Sequence, residues 1–272
     1  MALINIMKNV KIYTLYSGSN GNSTFIRVGE TAILIDAGRN AKALRIALAE
    51  IGEDISNIQA IFITHEHSDH ISALEVIAKK NNIPIYITRE SAIKFPFDSI
   101  IRERLVEQSI LFSVDIGEMH ISSFRTSHDS LMSVGYKIEY HDGDRIRSIG
   151  FATDTGYISK DIRSALLGCE AVVLECNHDV DMLMGGTYPY DLKRRVASNT
   201  GHLSNDACAE FSFELVQNGT RAIMLAHLSR ENNNPVVAFD TVSNAISGFD
   251  VSLCVAEPFS PTELVIPSRE GD

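Results

Sequence analysis

Three imidazoles and one aspartate fall within six residues at His65-Glu66-His67-Ser68-Asp69-His70. Imidazole nitrogens and carboxylate oxygens are ligands for zinc, manganese and iron, and side-chain packing gives no reason for such density. Alternate residues of an extended loop project to one side, so His65 and His67 can share one ion. Asp69 and His70 come a step later, where Ile71-Ser72-Ala73-Leu74-Glu75-Val76-Ile77-Ala78 begins to read as a helix. They are therefore offset and can reach a second ion. The competing reading is a solvated polar loop, which has no need of this residue set.

The element that must position the loop is the apolar run Ile58-Gln59-Ala60-Ile61-Phe62-Ile63-Thr64, which reads as a buried strand ending at His65. Further ligand-type residues stand behind other strands. His128 follows the alternating strand Met119–Thr126, Asp154 follows Ile149-Gly150-Phe151-Ala152-Thr153, and His227 follows Ala222-Ile223-Met224-Leu225-Ala226. Any one of them alone reads as an ordinary polar residue at a strand end. Three in series behind the first loop point to a dinuclear site.

On these residues the chain resembles the metallo-β-lactamase superfamily. That family orders an H-x-H-x-D-H loop, then a His, an Asp and a His, each at a strand end. All seven positions are filled here in that order, between about Lys11 and Pro258. The resemblance implies that His65, His67 and His128 hold a first ion and that Asp69, His70 and His227 hold a second. Asp154 would bridge them, as a carboxylate can with its two oxygens and a neutral imidazole cannot. The implied cofactors are two divalent ions, manganese or zinc, with iron also compatible.

At 272 residues the chain suits one large domain or two small ones. Hydrophobic content of 44% and charged content of 22% are ordinary for a globular protein. No apolar run reaches the length of a membrane span, so no membrane partner is expected. The start, Met1–Lys11, lacks a basic region before an apolar stretch and a cleavage site. Cys169, Cys176, Cys208 and Cys254 show no C-x-x-C spacing, and three lie in apolar or helical stretches as buried thiols. Together these features fit a reducing cytoplasm.

Strand signals dominate the first half, with helices interleaved, and His141-Asp142-Gly143-Asp144 reads as a hairpin turn. Further strands are expected at Ile110–Phe112 and Ala171–Glu175, and helices at Glu90–Phe97, Pro189–Ser198 and Asn205–Val216. This order fits an α+β fold with two sheets face to face and helices outside. The family fold is that αββα four-layer sandwich, with metals at one edge. We expect a single domain over residues 1–272.

The sandwich serves lactams, thioesters, phosphodiesters and oxygen chemistry, so the fold alone does not choose a substrate. Spacing narrows the field. Asp154 and His227 are 73 positions apart, too few for the large inserted domain of the RNA-processing β-CASP branch. His128 and Asp154 are 26 positions apart, filled by two strands and a hairpin. The long arm of the transfer-RNA 3′-processing nucleases has no room there. Gly201-His202-Leu203-Ser204-Asn205 nevertheless resembles the segment in those nucleases that carries a non-ligand histidine near the leaving group. Ser204 or Asn205 is a good N-cap, which would fix His202 just before a helix. An ordinary loop histidine before a capped helix is the alternative.

More specifically, the chain resembles the YycJ/WalJ group of bacterial metallohydrolases. The blocks that carry this are Ser17-Gly18-Ser19-Asn20-Gly21-Asn22-Ser23, Leu34-Ile35-Asp36-Ala37-Gly38, the His65–His70 loop and Glu175-Cys176-Asn177-His178-Asp179. Further on come Leu192-Lys193-Arg194-Arg195, Gly201–Asn205 and Leu225-Ala226-His227-Leu228-Ser229. The resemblance implies a 5′→3′ DNA exonuclease using manganese or another divalent ion. In such a reaction two cations would activate water and polarise the phosphoryl oxygen. Asp69 would orient the attacking oxygen, and protonated His202 would donate to the departing 3′-oxygen.

Lys193, Arg194 and Arg195 could bind backbone phosphates, or simply form a solvated helix face. Asn177 and His178 either contact substrate or cap their turn. A net charge of −11 stands against a broad nucleic-acid surface, so any groove must be local. A small-molecule (cyclic) phosphodiesterase would share the ligands and His202. A thioester or lactam hydrolase would share the ligands without needing His202. A non-hydrolytic diiron oxidoreductase is disfavoured, because its usual variant has Glu where His67 stands. Nothing in the sequence points to an obligate protein partner.

Overall fold

The apolar runs pair into strands that stack as two sheets of seven. The structure is a computed structural model describing residues 8–96 and 99–268. In chain order the strands are β1 (Val10–Tyr16), β2 (Ser23–Val28), β3 (Thr31–Ile35), β4 (Ala60–Phe62), β5 (Ile85–Thr88), β6 (Leu105–Gln108) and β7 (Ser113–Ile116). They continue as β8 (Met119–Arg125), β9 (Val134–Asp142), β10 (Arg145–Ala152), β11 (Ala171–Glu175), β12 (Ala222–Ala226), β13 (Ser252–Val255) and β14 (Thr262–Glu263). One sheet has the order β14-β1-β2-β3-β4-β5-β6 and the other β13-β12-β11-β10-β9-β8-β7.

Ile12, Ile26, Ile33, Ile35 and Phe62 of the first sheet meet Ile121, Tyr136, Ile138, Val173 and Met224 of the second in the central core. Helices α1 (Ala41–Glu50), α2 (Ser68–Ile71), α3 (Leu74–Lys80) and α4 (Arg89–Ala92) belong to the first half. Leu44, Leu48, Leu74 and Ile77 pack there with Leu34 and Ile61 on the outer face of the first sheet. The second half carries α5 (Lys160–Leu166), α6 (Val180–Gly185), α7 (Tyr190–Val196), α8 (Asn205–Gln217) and α9 (Pro235–Ala245). Ile162, Phe211, Leu215 and Val242 cover Val172, Leu174, Ile223 and Leu225 on the outer face of the second sheet. The layers are therefore α, β, β, α, as expected.

Each sheet is antiparallel at one side and parallel at the other. β3, β4, β5 and β6 run parallel, as do β10, β11, β12 and β13. Strands covered on both faces read as continuous apolar runs rather than alternating ones, which is why β3, β4, β11 and β12 are buried throughout. Parallel strands also end on one edge, and in such sheets ligands gather outside the carboxyl ends. The loops after β3, β4, β10, β11 and β12 all open there.

Two expected elements differ. Ile110–Phe112 is no strand but part of the crossing from β6 in one sheet to β7 in the other. Its polar groups are held by Ser123, whose hydroxyl donates to the Ile110 carbonyl and accepts from Phe112 N–H, each at 2.9 Å. Its apolar letters reflect packing against the core, not pairing. The helix expected at Glu90–Phe97 ends at Ala92, short of Pro96, which disfavours helical geometry before it. Phe97 itself lies outside the described residues, as does most of the Met1–Lys11 stretch. The Asp-Gly hairpin is present, with Asp142 opposite Arg145 and Gly143 at φ +61°. No helix among the described residues is long and apolar enough to cross a membrane.

Candidate metal centre

Both sheets contribute to one cluster at the parallel edge. The loop after β4 supplies His65 and His67, and α2 supplies Asp69 and His70. His128 comes from the loop after β8, Asp154 from the end of β10 and His227 from the end of β12. Ligand atoms of His65, His67 and His128 lie within 4.8 Å of one another, as do those of Asp69, His70 and His227, and those of His65, His70 and Asp154. All seven expected ligand residues are thus brought together.

Asp154 sits at the centre. One carboxylate oxygen is 3.6 Å from His227 Nε2 and 3.7 Å from His128 Nε2, and the other is 3.5 Å from His70 Nε2. It is fully buried, and its carboxyl is held well below the usual range. Burial works against that ionisation, but the surrounding imidazoles, His227 first, override it.

The orientation of the imidazoles follows from what their other nitrogens touch. His70 Nδ1 donates to Asp36 at 2.8 Å, His227 Nδ1 to Glu175 at 2.9 Å and His128 Nδ1 to the Gly201 carbonyl at 3.1 Å. Thr64 gives its hydroxyl proton to Asp36 at 2.9 Å, so its oxygen can accept from His65 Nδ1 at 3.0 Å. Four rings are therefore locked with Nε2 left for the centre, which is how outer partners fix ligand tautomers. His67 instead turns Nδ1 inward, 3.3 Å from His128 Nε2.

Three of the inward atoms, His65 Nε2, His227 Nε2 and Asp154 Oδ2, are buried without a hydrogen bond. An unsatisfied buried polar atom costs about 1–3 kcal/mol, so such a group of them is intelligible if a cation completes the site. A donor set of imidazoles and carboxylates fits a divalent ion. The charge balance agrees. Burial depresses His65 far below its usual range. Burial opposes the charged forms of His70 and His227 too, yet Asp36 and Asp154 lift His70, and Asp154 with Asp69 and Glu175 lifts His227 to about 10. Asp69 is held low against burial by His227 and His70. Asp69 and Asp154 thus favour the anionic form and draw positive charge to this spot, whereas burial raises the carboxyl of Asp36.

Two carboxylates in this network were not singled out from the sequence. Asp36 follows β3, is fully buried and accepts from Thr64 N–H at 2.9 Å as well as from His70. Glu175 ends β11, and the parallel register sets it opposite Ala226, next to His227. One of its oxygens accepts from His202 Nδ1 at 2.7 Å and His227 Nδ1 at 2.9 Å. The other accepts from Thr155 N–H at 2.8 Å and Leu203 N–H at 3.3 Å. With both oxygens occupied, Glu175 supports imidazoles rather than adding a ligand. Burial would raise its carboxyl, but His202 first and then His227 lower it to about 2. The signal was available: Asp36 directly follows an apolar strand and Glu175 ends one, much like the feature that singled out Asp154 and His227.

His202 stands beside the cluster, its ring 5.0 Å from that of His128 and 5.2 Å from that of His227. Ser204 caps α8 through Ala207 N–H, as expected, and His202 N–H donates to the Val196 carbonyl at 2.9 Å. Burial lowers the His202 imidazole, but Glu175 outweighs it and raises it overall.

The expected substrate contacts are placed differently from one another. Lys193 donates to the Met184 carbonyl at 2.7 Å, and Arg194 lies 5.9 Å from the Tyr190 ring. Arg195 pairs with Asp129, whose other oxygen is 3.4 Å from His128 Nε2, so it alone of the three reaches the rim. Asn177 is buried and donates to the His227 carbonyl at 2.7 Å. His178 is buried too, and its carbonyl accepts from Asn205 N–H at 2.8 Å. Both hold the loops around His202 and His227.

The backbone is also specialised here. Among the described residues only Asp36, Arg39, Asp154 and His227 are non-glycine residues with positive φ, between 57° and 61°. Such conformations persist where the surroundings over-determine them, typically at functional sites.

A family model described as the metallo-beta-lactamase superfamily matches residues 16–166, more than half of the chain. The chain belongs to this superfamily. It carries the His and Asp clusters of a metal site on that hydrolase scaffold. The chain is 34% identical over 260 residues to "Exodeoxyribonuclease YycJ" of Bacillus anthracis, covering 92% of this chain and 96% of the relative. It is 34% identical over 249 residues to "Exodeoxyribonuclease WalJ" of Streptococcus pneumoniae, covering 90% and 91%. Among solved structures, Zn(2+)-bound PqqB from Methylobacterium extorquens matches with a TM-score of 0.71 at 12% identity, over 93% of this chain and 99% of the other. That last likeness concerns the fold.

Proposed function

We propose that this metallohydrolase cleaves nucleic-acid phosphodiesters and acts as a DNA exonuclease from 5′ ends. The observation that carries the reading is the Glu175–His202 pair, an imidazole outside the seven-residue ligand set held at 2.7 Å by a fully buried carboxylate. A sugar 3′-oxygen leaves poorly unless it is protonated, so a positioned acid is worth having. Thioester hydrolysis does not need it, because a thiolate leaves without protonation. The two relatives named exodeoxyribonuclease support DNA as the substrate, and both align over nearly the whole chain.

In this reading His65, His67 and His128 would hold one divalent ion and Asp69, His70 and His227 another, with Asp154 near both sets, 3.7 Å from His128 Nε2 and 3.5 Å from His70 Nε2. Manganese or zinc suits this set, and iron is compatible. Bound there, the ions would activate water and polarise the phosphoryl oxygen. Asp69 helps to orient the attacking oxygen. Glu175 takes the Nδ1 proton of His202 in a hydrogen bond, which leaves Nε2 to carry the proton for the departing 3′-oxygen. Arg195, released from Asp129, offers a phosphate contact at the rim.

The test is to incubate the purified protein and Mn²⁺ with end-labelled single- and double-stranded DNA, RNA, bis-p-nitrophenyl phosphate and a thioester. Release of 5′ label before 3′ label from DNA is expected. Steady release from 3′ ends would sink the polarity. Turnover of small diesters or thioesters with none of DNA or RNA would sink the nuclease reading.

A further inference from the structure

Beside the metal edge lies an arrangement that the ligand set does not use. Arg39 follows the loop in which Ala37 N–H donates to the His70 carbonyl at 2.8 Å, and Arg230 stands three residues beyond His227. Phe259 lies between β13 and β14 and is 46% exposed. The guanidinium carbon of Arg39 is 5.1 Å from the centre of the Phe259 ring, and that of Arg230 is 5.2 Å from it. Arg39 is also 4.6 Å from the Tyr16 ring, whose hydroxyl donates to the Ala43 carbonyl at 2.6 Å. An exposed ring is thus flanked by two guanidiniums, one of them stacked on a second, fixed ring.

Three features set this apart from ordinary surface packing. Neither arginine makes an ion pair or side-chain hydrogen bond among the described residues, although the chain has 35 acidic residues against 24 basic ones. The backbone is shaped around Arg39, which has φ +59°, and a Cβ on Gly21 would overlap its side chain. Finally, the Ser17–Asn22 loop that includes Gly21 also braces the metal centre. Ser17 accepts from His227 N–H at 2.7 Å, and Asn22 donates to Asp69 at 3.1 Å. The patch and the ligands Asp69 and His227 share one support.

We propose that Arg39, Phe259 and Arg230 form a platform for single-stranded DNA, on which an unpaired base stacks while the guanidiniums meet its flanking phosphates. The proposal rests on the nuclease reading and deepens it. Every base has a π-face, so stacking on an aromatic ring tolerates any sequence, and arginine adds cation–π attraction. Two arginines that lean on aromatic rings and make no ion pair give an acidic chain the local positive charge that phosphate binding requires. Duplex DNA, with its bases already stacked, binds the platform less well.

The test measures binding of an internally labelled, phosphorothioate-linked 12-mer by metal-loaded wild type, Phe259→Ala and Arg230→Ala, alongside DNA hydrolysis. Phe259→Ala is expected to weaken single-strand binding roughly 5- to 150-fold, the size of one base–aromatic stack. Arg230→Ala is expected to lower the salt slope by about 1, as loss of one phosphate contact does. An abasic strand of the same length should bind wild type and Phe259→Ala equally, which a merely structural role for the ring would not produce. Unchanged affinity of Phe259→Ala for the base-bearing strand, or a loss that persists on the abasic strand, overturns the platform. If the enzyme still degrades DNA, the nuclease reading stands without it; if it neither binds nor cuts DNA, both fall. A Phe259-dependent preference for RNA of the same sequence overturns the assignment to DNA.

Discussion

The two sheets build their halves of the centre in opposite ways. The first delivers His65, His67, Asp69 and His70 from one continuous segment, braced mainly by Asp36. The second delivers His128, Asp154, His202 and His227 one at a time from separate connections, and Glu175 ties two of them together. The first half is fixed by local geometry. The second depends on the register of three parallel strands, since Glu175 meets His227 only because β11 and β12 align as they do. In the compact motif one carboxylate, Asp36, braces His70 directly and His65 only through Thr64, whereas in the dispersed set Glu175 bonds directly to two rings.

The largest effect expected on this comparison comes from Asp154, where the halves meet. Asp154→Ala should lose both ions, read as metal content after gel filtration, together with nearly all turnover. Retention of one equivalent would show that the halves load independently. Next is His202. His202→Ala should keep both metals and cut phosphodiester turnover by roughly 10²–10⁴, the range for a general acid. The loss should shrink with a p-nitrophenyl leaving group, which needs no proton; an equal loss with both would argue against the acid role.

The supports come third. Glu175→Gln and Asp36→Asn should each cost about 10–100-fold in metal affinity or activity, as outer partners of ligands usually do. Only Glu175→Gln should also show the leaving-group dependence of His202→Ala, because only Glu175 holds that ring. The same dependence in Asp36→Asn would erase the distinction between the halves. The smallest effect belongs to Arg195→Ala. Its pair with Asp129 is largely exposed and worth about 0–1 kcal/mol to stability. Thermal unfolding should barely move, while DNA binding should lose about one unit of salt slope; a large drop in stability would instead assign Arg195 to the scaffold.

This asymmetry also explains what could be read from the sequence. His65–His70 was legible by itself because its spacing is its geometry. His128, Asp154 and His227 were legible as polar residues ending apolar runs, and the sandwich followed from the same runs. Asp36 and Glu175 end apolar runs too, but their role depends on which imidazole lies opposite, and register across parallel strands leaves no mark on either strand alone. The Lys193-Arg194-Arg195 run shows the converse. Three adjacent cations look equivalent in sequence, yet helical geometry sends them to a carbonyl, a tyrosine ring and a rim aspartate. Ile110–Phe112 misled because a segment that crosses between sheets is as apolar as a strand within one.

The cluster draws its side chains from both sheets, and no disulfide joins them, since all four cysteines are free. Ions held in common would act as a clasp closing one end of the sandwich. Opening that end would require releasing them, so the melting temperature becomes a function of free metal: a hundredfold excess over Kd adds about 2.7 kcal/mol per site to the folded state. Such a clasp would couple metal supply to the lifetime of the protein, since loss of the ions would loosen the sandwich at its working edge.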